Sequence, residues 1–141
     1  MSEILAASQY DEWDAFVRQA KGGTIFHYTW YLAHLAPDIR VQVLRDKSGR
    51  INAGMILAVT SFLGTKAVRG TALNACNGPL ILPSGKQNLV AVASEEKNLM
   101  LRLLASCPRL GMYDFTMPSE WRDMMPFLWN GFDATICCTY R

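Results

Sequence analysis

The chain has 141 residues, enough for one domain that buries its own core without a metal or disulfide. Half of the residues are hydrophobic and only 18% are charged, against about 25% in a typical soluble domain; that balance implies either a core-rich monomer or apolar surface covered by a second lobe, a copy of itself or a ligand. Fourteen basic and twelve acidic residues give a net charge of +2 with the signs interspersed, and no stretch clusters Lys and Arg with aromatics, so the sequence carries no nucleic-acid footprint.

Met1–Tyr10 lacks both the basic and the apolar region of a secretion signal. The most apolar run, Ile51–Leu63, is broken by Asn52, Gly54, Thr60 and Ser61 and is too short to span a bilayer. Four cysteines, Cys76, Cys107, Cys137 and Cys138, follow no zinc-site spacing, and reduced, mostly buried thiols in a cytoplasmic protein are expected.

Ile4–Ala7 reads as a short opening strand. Asp11–Ala20 reads as a helix, with Trp13, Phe16, Val17 and Ala20 at three- and four-residue intervals, Ser8 or Asp11 as its N-cap and Gly22-Gly23 as its end. Thr24–Tyr28 carries aromatic anchors into a second helix, Thr29–Leu35, stopped by Pro37. Ile39–Arg45 alternates as a strand, and Asp46-Lys47-Ser48-Gly49 is a hairpin turn. Ile51–Phe62 is apolar on both faces and belongs at the centre of a sheet, with Gly54 marking a bulge or a close backbone approach. Gly64-Thr65 turns the chain into a third strand, Lys66–Leu73. Asn74–Gly85 is irregular; a long helix over Asn88–Ala105 follows, closed by Pro108. Met112–Met117 is a strand, Pro118-Ser119 opens a short helix that Pro126 breaks, Phe127–Phe132 turns at Gly131, and Ala134–Tyr140 is the last strand. Residues 1–141 thus form a single α/β domain with a mixed, mostly antiparallel central sheet flanked by helices.

This order of elements resembles the GNAT acyltransferase fold. Two segments narrow the resemblance: Trp13-x-x-Phe16-Val17 followed by Gly23-Thr24-Ile25-Phe26-His27-x-x-Trp30, and Pro126-Phe127-Leu128-Trp129-x-Gly131-Phe132 leading to Thr139-Tyr140-Arg141, with Asn77-Gly78-Pro79 between them. Together they resemble the N-terminal lobe of the bacterial-type Fem (FemABX-like) peptidyl and acyl transferases. The resemblance implies transfer of an acyl or aminoacyl group, from a thioester or charged tRNA, to an amine. It also implies a partner, either a second GNAT-like lobe in cis or a self-dimer. Members of the family continue beyond the Thr-Tyr pair, so a chain ending at Arg141 is expected to be an excised domain or a single-lobe relative. In peptidoglycan-building members a Lys that touches nucleotide phosphates lies two residues after the Trp matching Trp30; Leu32 stands there.

GNAT enzymes hold the pyrophosphate of acetyl-CoA on an Arg/Gln-x-x-Gly-x-Gly/Ala turn that opens their third helix, where backbone N–H groups point at the anion. The corresponding stretch here, Gly78–Lys86, contains Pro79 and Pro83, which supply no N–H. No tight CoA binding by this chain alone is therefore expected; acyl-CoA or aminoacyl-tRNA would require a second lobe. The catalytic residues are not assigned by the sequence. Substrate-binding candidates are His27, a general base or else a packed histidine; Trp30 and Trp129, as stacking platforms or as aromatic core and lobe contacts; and Tyr113 and Asp114, near where GNAT strands splay to admit substrate. Tyr140 matches the position of a GNAT general acid, or packs. His34 reads as a structural histidine at a helix C-terminus, and Glu95-Glu96-Lys97 as a solvated helix face. The leading expectation is a substrate-side lobe that is not self-sufficient in catalysis; the alternatives are a stand-alone binding or dimerisation domain and a single-domain N-acetyltransferase.

Overall fold

The computed structural model describes residues 2–70, 75–121 and 123–136. Its centre is β3 (Ile51–Phe62), the long apolar run of the sequence. Along one edge β3 pairs antiparallel with β2 (Asp38–Arg45), whose far edge takes the short β1 (Ser2–Ile4). The other edge is shared: β4 (Thr65–Val68) pairs with Val59–Phe62, and β5 (Leu80–Ile81) pairs with Ala53–Gly54. The last strand among the described residues, β6 (Met112–Tyr113), lies parallel to β4 and is reached through the long helix α3 (Leu89–Ala105). A parallel neighbour needs such a crossover, whereas the antiparallel pairs β2–β3 and β3–β4 are joined by tight turns. The fold class read from the sequence is the one observed: a mostly antiparallel sheet, six-stranded among the described residues, flanked by helices.

Each face of the sheet has its own core. Ala53, Met55, Leu57 and Val59 of β3 meet Met100, Leu103 and Leu104 of α3 and Phe127 of α4 (Met125–Trp129). On the opposite face Val41, Val43 and Ile56 meet Trp13, Phe16 and Val17 of α1 (Tyr10–Val17) and Leu32 of α2 (Thr29–Leu32). Trp13 is fully buried and donates its indole N–H to the His27 carbonyl at 2.7 Å, which fastens α1 to the turn before α2. Gly54 makes room for that ring: a Cβ there would lie 2.6 Å from Trp13. The glycine thus marks a close approach, and the irregularity in the ladder falls instead between Leu44 and Arg45. The carboxylate of Asp14 on α1 accepts from the Thr29 N–H (2.9 Å) and hydroxyl (3.0 Å), satisfying a donor at the start of α2 that no neighbour in sequence serves.

Several boundaries differ from the sequence reading. The opening strand lies two residues earlier than Ile4–Ala7, although the Leu5 N–H still bonds to Val41. Neither Ser8 nor Asp11 caps α1; a 3-10 turn, Ala7–Gln9, leads into it, and the helix stops at Val17 before Gly22 takes the left-handed backbone (φ 77°). The second helix spans four residues and relaxes into turns before Pro37. Of the third strand only Thr65–Val68 forms; residues 71–73 of that expectation lie outside the described residues. Strand Met112–Met117 shrinks to two residues because Asp114–Thr116 bonds to a side chain, as described below. Pro126 opens α4 and ends nothing. In the first turn of a helix an N–H has no partner to lose, so proline fits there. No helix forms at Ser119, where Trp121 N–H closes a turn onto Pro118. Ala134–Ile136 is not a strand, and the remainder of that segment, with Cys137, Cys138 and Tyr140, lies outside the described residues.

Candidate functional site

His27 is completely buried between two chain segments. Its Nδ1 accepts from the Thr24 N–H at 3.3 Å, with the Thr24 hydroxyl 3.0 Å away. An accepting Nδ1 places the proton on Nε2, which donates to the Gly78 carbonyl at 3.2 Å. Burial pushes the imidazole pKa down to about 4, against the pull of that carbonyl, so the ring is neutral near pH 7. With both nitrogens engaged and no exposed surface, His27 is a bracket between the Thr24–Tyr28 turn and the loop that carries Asn77-Gly78. The Cys76 sulfur lies 3.8 Å from Nε2, and burial raises its thiol pKa, the opposite of what activates a nucleophile. Neither Cys76 nor Cys107 is in a disulfide, and burial pushes the Cys107 thiol up to about 11.

Asn77 continues the same construction. Its side chain donates to the Asp114 carbonyl (2.9 Å) and accepts from the Thr116 N–H (2.6 Å), while the Asn77 and Gly78 N–H groups both bond to the Thr116 carbonyl. A side-chain amide mimics a peptide group, so it takes the place of a neighbouring strand where β6 leaves β4. His27 and Asp114 are thereby joined through Asn77-Gly78. Tyr113 is half-buried; its hydroxyl donates to the Pro108 carbonyl and its ring meets Phe115 (5.7 Å) and Phe132 (6.4 Å). Burial raises its phenol to about 12. The Asp114 side chain is exposed. Trp30, 53% exposed, lies beside Tyr28 and Tyr31 on α2, and Trp129, 59% exposed, lies on α4 with the Lys97 ammonium 5.3 Å from its ring. Because α2 and α4 pack on opposite faces of the sheet, the structure does not bring Trp30 and Trp129 together. Leu32 sits in the core under the sheet, so its position does not open to a phosphate in this chain.

Several donors around the turn into α3 are committed. Leu80–Ile81 is a strand, and Leu82 N–H bonds to Asn52. The Ser84 hydroxyl donates to Glu95, and the Lys86 N–H donates to the Ser84 oxygen. The Lys86 ammonium lies 3.4 Å from the same Glu95. At the helix start the Asn88 side-chain Oδ1 accepts from the Val90 and Ala91 N–H groups. A carboxylate and an amide oxygen therefore stand where a phosphate would have to accept.

A cleft of about 500 Å³ lies elsewhere, lined by α3, Lys21, Glu120, Trp121 and Asp123; none of the five sequence-derived candidates lines it. Gly22 lets the loop come in, since a Cβ there would meet Pro118 at 2.6 Å. Glu96 holds the Lys21 ammonium through both oxygens at 3.1 Å, and Lys97 pairs with Asp123 at 3.5 Å. The Glu95-Glu96-Lys97 run is thus a partnered wall, because Lys21 is delivered to it by the bridge its backbone makes to Ile81. The only trace of this cleft in the sequence is α3's charge run, whose partners are remote in the chain. Among the described residues there is no group of His, Cys, Asp and Glu that would hold a metal ion, and no helix long and apolar enough to cross a membrane.

No known protein family and no curated protein matches the chain. Among solved structures it is similar to the aminoglycoside antibiotic 6'-N-acetyltransferase AAC(6')-IG of Acinetobacter haemolyticus, at 10% identity and a TM-score of 0.46 over 100% of this chain and 96% of that one. It is also similar to a mutant of the BH1408 protein of Bacillus halodurans, at 12% identity and a TM-score of 0.45 over 100% and 98% of the two chains. Both likenesses are of general layout.

Proposed function

We propose that the chain is the substrate-side lobe of a Fem/GNAT-type acyl- or aminoacyltransferase, dependent on a second lobe for catalysis. The observation that carries this reading is the closed turn before α3. Of the backbone donors around that turn, the Lys86 N–H is taken by Ser84 and the Val90 and Ala91 N–H groups by the Asn88 side chain, and Glu95 adds negative charge beside them. The buried, fully bonded His27 supports the same view, since it offers no base to a substrate in this conformation. On this reading, acyl-CoA or aminoacyl-tRNA would be held with the second lobe, in cis or from a partner.

Calorimetric titration of the purified chain with acetyl-CoA, together with an acyl-transfer assay on amines, tests this. No saturable binding and no turnover are expected from the chain alone, with activity returning when a second lobe is supplied. Micromolar binding or turnover by the chain alone would overturn the reading in favour of a single-domain N-acetyltransferase. One observation favours a different second reading, a stand-alone dimerisation domain: Leu89 and Val90 at the start of α3 are 83% and 78% exposed. A tight symmetric dimer in light scattering of the natural full-length product would favour it.

A further inference from the structure

The tip of the β3–β4 hairpin projects clear of the rest of the described chain: a Cβ on Gly64 would meet nothing within 4 Å, and Leu63 is 90% exposed. Leu63 holds a left-handed backbone (φ 49°), and among the described residues no other non-glycine does so. An exposed leucine in that conformation serves neither the turn nor the core, and such departures from local preference gather where a surface is used. Phe62 beside it is 37% exposed. Cations flank these two side chains on both faces of the hairpin, since neighbours along a strand point to opposite sides. Lys66 stands opposite Ser61 on one face; on the other the Arg69 guanidinium lies 4.3 Å from the centroid of the Phe62 ring. Alongside, the Gly111 N–H bonds to the Lys66 carbonyl at 2.9 Å, and because β6 runs parallel to β4, Arg109 precedes it on the side of the tip. Lys66, Arg69 and Arg109 form no ion pair with a described residue. The carboxylates of this end are set back. Asp38, near enough to feel Lys66, is bonded to Arg40 at 2.9 Å. Asp114 and Asp133 line a hollow beside Tyr113, whose partner Val68 lies three residues behind Thr65. None of the undescribed residues is an Asp or Glu.

An apolar tip with a collar of cations has two demands. An acidic macromolecule would answer the cations and leave Leu63 in water, and a neutral apolar pocket would answer Leu63 and leave the cations without partners. The surface of an anionic bilayer answers both, because apolar side chains reach the acyl boundary while basic ones stay among the phosphates. We propose that the β3–β4 hairpin tip is a docking point for an anionic lipid surface, with Leu63 and Phe62 entering the head-group layer and Lys66, Arg69 and Arg109 meeting its phosphates. So few groups give weak, reversible attachment. The docking point stands whether or not the chain takes part in acyl transfer, and its test reads lipid binding alone, so its failure and that of the acyltransferase reading are distinguishable.

The full chain is floated with vesicles of phosphatidylcholine alone and of phosphatidylcholine mixed equally with phosphatidylglycerol. The expected result is a bound fraction that rises with lipid on the anionic vesicles, is absent on the zwitterionic ones, and falls with added salt. Leu63→Asn, a residue this turn favours, removes the apolar tip without harming the fold and should weaken binding about tenfold. Lys66→Gln should weaken it about fivefold. No flotation with the anionic vesicles, equal flotation with the zwitterionic ones, or unchanged binding by Leu63→Asn with a native-like circular dichroism spectrum would each overturn the proposal. So would self-association in light scattering that Leu63→Asn abolishes, found without lipid binding, since it would assign the tip to a second copy of the chain.

Discussion

At the scale of single residues, His27 makes a prediction with a definite sign. Its folded pKa, about 4, lies below the ordinary value of 6.5 because the protonated ring would be buried without water. Between those values the unfolded chain binds a proton that the folded chain refuses, so stability falls as pH drops through 6.5 and levels off below about 4. The full effect is at most about 3 kcal/mol at one pKa unit per 1.4 kcal/mol. Urea unfolding at pH 7 and at about pH 5, above the range where most carboxylates titrate, should show the part of this loss that falls in that window, about 2 kcal/mol. His27→Gln should be less stable at pH 7 and lose most of the slope; an unchanged slope would mean that His27 is not the group responsible. That His27 packs was one of two roles left open by the sequence, since a lone imidazole does not reveal its partners. Thr24 is three residues away and visible, but Gly78 is fifty-one residues away and arrives only through the fold. Gly54 was legible as a bulge or a close backbone approach, yet nothing local said which, or that the visitor was Trp13.

At the scale of elements, what the sequence revealed follows from how local each element's support is. Helix α3 was readable to within a residue because its cap is its own neighbour: Asn88 accepts from Val90 and Ala91. Strand β3 was readable because being apolar on both faces has one explanation, burial on both faces. By contrast β5 is two residues long and exists only because Ala53–Gly54 lies beside it, and β6 is cut short by the Asn77 side chain. The β3–β4 hairpin shows a local signal opposed by its own residue. Leu63 and Gly64 both take left-handed backbone (φ 49° and 79°), a pairing suited to the mirror-image turns that close hairpins and for which Asn-Gly is favoured. Leucine pays about 1–2 kcal/mol there through its Cβ, and with 90% of its surface exposed it gains little packing in return. Leu63→Asn should therefore raise stability by up to about 1 kcal/mol. A higher urea midpoint at unchanged slope is the expected readout, with Leu63→Val moving the other way. A lower midpoint for Leu63→Asn would show that the turn is not what limits this hairpin.

At the scale of the whole molecule, the two cores share one wall. Alternate residues of β3 serve opposite sides: Met55 and Leu57 face α3, while Ile56 faces α1. Damage to either core must therefore be felt through β3 by the other, and the chain is expected to unfold as one unit. Trp13 makes this measurable in a Trp121→Phe background, since Trp13 is fully buried in the α1 core, Trp30 and Trp129 are more than half exposed, and Trp121 packs against the α3 core. Leu103→Ala removes side-chain volume from the opposite core and should cost about 2–5 kcal/mol. If β3 couples the faces, the Trp fluorescence transition, dominated by the change at Trp13, shifts by the same amount as far-UV circular dichroism, and the two remain superimposed. If the cores were separable, the α3 side would melt first and the fluorescence midpoint would stay where it was. Coupling of this kind also bears on partnership. A lobe that lends its α3 or α4 face to a second lobe would transmit that contact through β3 to His27 and its loop, so a bound partner should raise both transitions together.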